Sequence, residues 1–336
     1  MKVKITLLSL FLSISSLFSD SWPKEVQDIQ YKSEIDQSMQ PAMMYVAKQK
    51  NRPLLVALHT WSHNYKQSGG AVYAKWCIEN DWNLIHPNFR GMNKQPQALG
   101  SEYVVVDIES AYEYMIKTYS IDTNKVYLTG VSGGGHASLL MAGRKPQIWA
   151  GVSAWCGISD IAQWWKEKRE VGPERYADHI EAACGNPKNE SFFSECKKRS
   201  PLTYLKAATQ VPLDINHGLH DGRKGSVPFT HSIYAFNEVV GEKDKISNTV
   251  TAKYYDSLIA PNSDESLKDS LYGSKPPVYR KQAGVARLTI FDGGHEMIHL
   301  AALNWLSKQE KGKPVVWDIK QPISFKTAKD DSKSGL

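Results

Sequence analysis

From residue 54 to residue 292, short apolar runs alternate with longer stretches whose apolar positions recur at helical spacing. Six runs read as strands: 54–59 (LLVALH), 82–86 (WNLIH), 125–131 (KVYLTGV), 150–155 (AGVSAW), 211–216 (VPLDIN) and 286–292 (ARLTIFD). Helices are predicted over 71–80, 104–119, 134–143, 229–240 and 296–308. Strands alternating with helices predict an α/β architecture, a mostly parallel sheet flanked by helices. Two segments break the rhythm. Residues 158–205 carry Trp164, Trp165, Cys184 and Cys196, and residues 242–282 are polar with several turn formers. Both read as insertions at the loop end of the sheet, where caps and substrate walls are built.

The two ends of the chain have a different texture. Residues 1–19 open with Lys2 and Lys4, continue as an apolar run and close on small polar residues, the pattern of a cleaved signal peptide. The run is too short and too serine-rich for a stable membrane span, so a secreted or periplasmic protein is expected, with one domain over 20–325. Residues 326–336 are charged and small and are expected to be disordered. At 41% apolar and 23% charged, the chain has a globular composition. Its net charge of +6 is spread out, with no basic block interleaved with aromatics, so nucleic acid is not an expected partner. An oxidising compartment would let Cys184 and Cys196, which flank a polar segment, close a loop as a disulfide. Cys77 and Cys156 lie in apolar surroundings, where two buried thiols and a bridge are equally compatible.

The candidate chemistry sits at strand ends. Gly130-Val131-Ser132-Gly133-Gly134 follows a strand and runs into a helix, the context that gives G-x-S-x-G its meaning as a nucleophile elbow. A serine hydroxyl is a weak nucleophile at neutral pH and needs a base held by an acid. In this architecture acid and base follow the serine in that order. Asp221 comes just after the strand VPLDIN, and His295 just after ARLTIFD and two glycines. Asp160 and Asp292 are weaker rivals for the acid, Asp214 lies inside a strand, and His136 sits on the helix after the elbow in a packing position. The oxyanion donors expected are the N–H of Gly133 and the N–H of Trp61, with Thr60 next to it.

The stretch His295-Glu296-Met297-Ile298-His299 also spells H-E-x-x-H, a zinc-protease string. Two glycines and a strand precede it and no third ligand follows, so His295 reads as the triad base. Glu296 is then expected in the first turn of a helix and His299 one turn on. No metal and no cofactor are expected.

These residues carry a resemblance. The LHTW loop, Pro87-Asn88-Phe89-Arg90-Gly91, the GVSGGG elbow, and HGLHDG with Val227, Pro228 and Ser232 make the chain similar to α/β-hydrolases of the prolyl-oligopeptidase-like group, nearest its small secreted esterases. The resemblance implies an α/β-hydrolase fold with loop-end insertions, Ser132, Asp221 and His295 as triad, and Arg90 lining or bracing the site. One departure is that five residues separate Asp221 from Val227, wider than the group's D-x-x-V-P. No large propeller precedes the hydrolase part, which favours an esterase over a peptidase. Trp61, Trp155, Trp164 and Trp165 fall on or near the loops of the active end. Each reads singly as packing; together they point to indole walls for a sugar and so to an acyl or methyl ester on a polysaccharide. A serine peptidase of the same group is the alternative.

Overall fold

All six apolar runs are strands, and they are neighbours. In the computed structural model, which describes residues 21–222, 226–257 and 267–325, they form the centre of a nine-stranded sheet. They are β3 (Arg52–Leu58), β4 (Asn83–Pro87), β5 (Ile121–Val131), β6 (Gly151–Trp155), β7 (Leu213–Gly218) and β9 (Ala286–Phe291). Every pairing among them is parallel. Strands β4, β6, β7 and β9 are buried along their whole length. Helices cover both faces of such a sheet, which is why these strands are near-continuously apolar rather than alternating.

Three strands escaped the pattern: β1 (Gln27–Lys32), β2 (Met39–Tyr45) and β8 (Pro277–Ala283). All pair antiparallel, giving the order β1-β2-β4-β3-β5-β6-β7-β9-β8. The outermost two, QDIQYK and PVYRKQA, are polar or charged, as edges that must not recruit another chain tend to be. All but the last residue of strand β8 lies within residues 242–282, so part of that predicted loop-end insertion extends the sheet instead.

Helices α1 (Ala71–Asn80) and α9 (His299–Leu306) pack on one face with Tyr127, Trp155 and Phe291. On the other face lie α2 (Glu102–Thr118), α3 (Gly133–Arg144) and α7 (Thr230–Val239). Residues 158–205 supply α4 (Ile161–Val171), α5 (Arg175–Cys184) and α6 (Glu190–Arg199), which enclose a small core of their own together with Trp61, Leu99 and Val227. That core contains residues of the loops after β3 and β7, so the three helices form a lid fixed to the carboxyl end of the sheet. Helix α8 (Asn248–Ser257) follows α7.

The proposed signal peptide and tail lie outside the described residues. All four cysteines are free and buried. Cys184 and Cys196 meet as hydrogen-bonded thiols within the lid, so the expected disulfide is not formed.

Candidate active site

Ser132 stands between β5 and α3 with φ 61° and ψ −119°, a conformation that a non-glycine residue holds only under constraint. Its N–H donates to the carbonyl of Trp155 at 2.9 Å, and its own carbonyl accepts from His136 N–H at 2.8 Å. The turn closes so tightly that a Cβ on Gly130 would stand 2.6 Å from the carbonyl carbon of Gly134. This explains the glycines of the elbow: two backbone segments occupy the space of a side chain.

The acid and base arrive from β7 and β9, which are adjacent and parallel. His295 Nδ1 lies 2.5 Å from Asp221 Oδ2. With the carboxylate accepting the Nδ1 proton, the lone pair is left on Nε2, the tautomer a general base requires. The other oxygen of Asp221 accepts N–H bonds from Ser226 at 2.9 Å and Val227 at 3.1 Å. The widened spacing before Val227 therefore leaves the acid fully held. Burial alone would push the Asp221 carboxyl up. The hydrogen bonds it accepts from His217 and His295, with the charge each imidazole carries once protonated, outweigh it and hold the group well below the usual carboxylate range.

His217 is a participant that sequence reasoning left without a role. Wholly buried in β7, it shares its Nε2 proton between Asp221 Oδ2 at 3.1 Å and the Val227 carbonyl at 3.0 Å. Its Nδ1 accepts from the Ser232 hydroxyl at 2.7 Å. The sequence held the signal in the same HGLHDG string, but only the fold turns this imidazole toward the acid.

On the opposite side of the serine, a Cβ on Gly133 would meet Trp61 N at 2.5 Å, so the two predicted oxyanion donors belong to backbone segments in direct contact. Asn93 completes this corner and was not anticipated. Its N–H donates to the Trp61 carbonyl at 3.0 Å, and its Oδ1 accepts from Leu99 N–H at 2.9 Å. With the oxygen taken, Nδ2 faces the elbow, 3.1 Å from the Cβ position of Gly133.

Other expectations change. Arg90 spends its guanidinium on Asp36, Asp107 and Ser33, with its shortest bond, 2.7 Å, to the wholly buried Asp107. Of the two roles the resemblance implied, lining or bracing, these bonds show the brace. The indole wall is also not built as expected. Trp155 is buried on the α1/α9 face against Tyr272 and Phe291, with its N–H on Ser153. Trp164 is buried in the lid, edge-on to Trp61 at 4.7 Å, and donates to the Ser226 carbonyl. Trp61 donates to His179 Nδ1 on α5 at 3.2 Å. Trp165 is half-buried against Phe192 and bonded to Glu181. Trp61, Trp155 and Trp164 thus offer no open ring face; they pack the lid and sheet, which places side chains by volume rather than by their nearness to loops in sequence.

The rival acids have separate tasks. Asp160 caps α4 through Gln163 N–H at 3.0 Å, Asp214 pairs with Arg287, and Asp292 pairs with His220 at the surface. His136 donates Nδ1–H to the Ile158 carbonyl, and burial lowers its pKa to about 4. The H-E-x-x-H letters straddle a boundary: His295 is in a loop and α9 begins only at His299. Glu296 is thus outside the helix, where its Oε1 accepts from Gly294 N–H at 3.0 Å and its other oxygen meets Lys275. The loop persists because these bonds and the Asp221 contact hold it open.

A serine on a strained strand-to-helix turn after β5, an ordered Asp–His pair at the ends of β7 and β9 and two N–H groups against the elbow define a serine hydrolase on an α/β-hydrolase sheet. The prolyl oligopeptidase family profile matches residues 74–261, more than half of the chain, and the chain belongs to that family. Acylamino-acid-releasing enzymes 1 and 2 of Oryza sativa subsp. japonica are each 23% identical over 51% and 52% of this chain, respectively. The match spans only 25% of either relative's length. Among solved structures, an acylaminoacyl peptidase of Pyrococcus horikoshii superposes with a TM-score of 0.59 at 17% identity, over 88% of this chain and 43% of that one. At that identity the likeness shows the shared fold.

Proposed function

We propose that the protein hydrolyses small carboxylic esters through an acyl-enzyme formed on Ser132. The observation that carries this reading is the 2.5 Å Asp221–His295 pair, which leaves Nε2 as a base at the sheet end where the elbow presents its serine. In the first step Ser132 Oγ attacks the ester carbonyl and its proton passes to His295 Nε2, while Asp221 steadies the imidazolium. The N–H groups of Gly133 and Trp61 receive the oxyanion. His295 then gives the proton to the leaving alcohol, and water releases the acid by the reverse route. The lid core of Trp61, Trp164 and Tyr176 over this end supports a compact substrate. A polysaccharide ester is the weaker form of this proposal, because only Trp165 of the expected indole wall is partly open. Export from the cytoplasm remains part of the proposal and rests on residues 1–19 alone.

A second reading is hydrolysis of acylated amino-acid amides. The names of the rice and Pyrococcus relatives favour it, and the acyl-enzyme route is the same with an amine as leaving group. Ser132→Ala should lower hydrolysis of a nitrophenyl acetate on the order of 10⁴-fold or more with folding intact. Retained turnover that a chelator removes would overturn the serine mechanism. Comparable kcat/KM for an N-acetyl-aminoacyl anilide and for the nitrophenyl ester would select the amide reading.

A further inference from the structure

We propose that Cys156, Asp221 and His295 form a binding site for one thiophilic divalent cation, Zn²⁺ or Cd²⁺, and that its occupancy switches the hydrolase off. The zinc suggested by H-E-x-x-H would have joined His295 to His299. The donors that actually meet His295 come from two other strand ends. Cys156 follows β6, Asp221 follows β7, and their ligand atoms and that of His295 all lie within 4.8 Å of one another. Cys156 reaches the acid–base pair from the side of the His295 loop. Its Sγ lies 3.8 Å from the carbonyl of Gly294 and 3.4 Å from that of Glu296, the residues on either side of His295.

The donor set suits a borderline-soft ion. A thiolate, an imidazole and a carboxylate are the ligand types Zn²⁺ accepts, with three protein ligands leaving a fourth position for water. Bond lengths of about 2.3 Å to sulfur and about 2.0 Å to nitrogen place the ligand atoms of a tetrahedral ion about 3.5 Å apart. From separations within 4.8 Å the sulfur would close toward about 3.5 Å from its partners, while the 2.5 Å Asp221–His295 contact would open to admit the ion. Cys156 and Asp221 are buried, and the His295 side chain, 22% exposed, provides the approach from solvent.

The chemistry of closure follows from the tautomer. On binding, the Cys156 thiol loses its proton to solvent and bonds the ion as thiolate. His295 bonds through Nδ1, so its single ring proton moves from Nδ1 to Nε2. Nε2 then has no lone pair for the Ser132 proton, and the first step of acyl transfer is blocked. The ion's two positive charges offset the thiolate and the carboxylate, so the buried cluster is left neutral. The inhibition rests on His295 being the base of the proposed function; the binding of the ion does not.

The test uses the full chain and two readouts. Cd²⁺ is titrated while the thiolate-to-cadmium charge-transfer absorbance is followed, and hydrolysis is measured against Zn²⁺ with chelator reversal. The wild-type chain should show one Cd²⁺ equivalent that Cys156→Ala lacks, with Cys156→Ser as a second variant if the alanine protein folds poorly. Half-inhibition of the variant, normalised to its own metal-free rate, should need at least about tenfold more Zn²⁺. Absorbance common to both proteins belongs to Cys77 or to the Cys184 and Cys196 pair. Equal Zn²⁺ sensitivity and equal absorbance in wild type and variant would overturn the site. A Cys156-dependent equivalent without loss of activity would overturn the switch. A Cys156-dependent equivalent in a wild-type chain that hydrolyses neither ester nor amide would sink the proposed function and leave the ion site standing.

Discussion

Asp221→Asn separates the role of this carboxylate in orienting His295 from its role in holding the fold. The side chain accepts four hydrogen bonds: two from the fixed N–H groups of Ser226 and Val227, and two from the imidazoles of His217 and His295. An amide has only one oxygen. The backbone donors cannot turn away, so the oxygen stays with them and the NH₂ faces the two histidines. Its proton then points at His295 Nδ1, which must become an acceptor, and the ring proton moves to Nε2. The base is lost without any change of shape. Wrong-tautomer substitutions of this kind lower kcat by about 10⁴-fold, or about 5 kcal/mol of barrier. The assay is steady-state hydrolysis of a nitrophenyl ester, with circular dichroism to confirm the fold. A loss below about tenfold would refute the argument that Asp221 sets the tautomer. The stability effect has a defined pH window. The folded carboxyl titrates below its unfolded value, so its contribution is fully present above about pH 4 and is lost as pH falls through the folded value. The gap in chemical-denaturation stability between wild type and Asp221→Asn should be flat at neutral pH and narrow only below about pH 4.

Three further outcomes are expected. Gly133→Ala places a methyl 2.5 Å from Trp61 N, which displaces an oxyanion donor and should lower kcat by about 10²- to 10³-fold with KM little changed, read in the same ester assay. Arg90→Ala strands the buried Asp107 carboxylate and should cost about 3 to 5 kcal/mol in urea unfolding, while the rate per folded molecule stays near wild type; a selective rise in KM would restore Arg90 as a substrate contact. Asn93→Ala removes the side chain that accepts from Leu99 and faces the elbow, and should lower kcat more than it raises KM; a change confined to stability, about 1 to 3 kcal/mol, would make Asn93 a loop brace only.

Most of the catalytic constellation is legible in the sequence because its parts are local. A nucleophile elbow needs glycines beside the serine in a strand–turn–helix context, and Gly130 to Gly134 supply them within one short string. The apolar runs of the central strands are equally local, since a strand covered on both faces has no polar side to show. By the same reasoning the polar edges β1 and β8 were invisible: pairing on one side gives them order without an apolar pattern. The sites of Asp221 and His295 could be read from strand ends, but the partner that completes them, His217, is set by the direction a buried β7 side chain takes.

What the sequence by itself determined is the kind of chemistry and the strand ends that carry it, because turn geometry and strand burial are imposed over a few neighbouring residues. Tertiary structure alone decided the rest. It turned Trp61 and Trp164 into lid core rather than open rings, tied Arg90 to Asp36 and Asp107, and kept Cys184 and Cys196 as thiols in contact. It also placed Cys156 beside Asp221 and His295. Each of these depends on which distant segments meet, and that is fixed by how nine strands and their helices share one packed volume, not by any spacing along the chain.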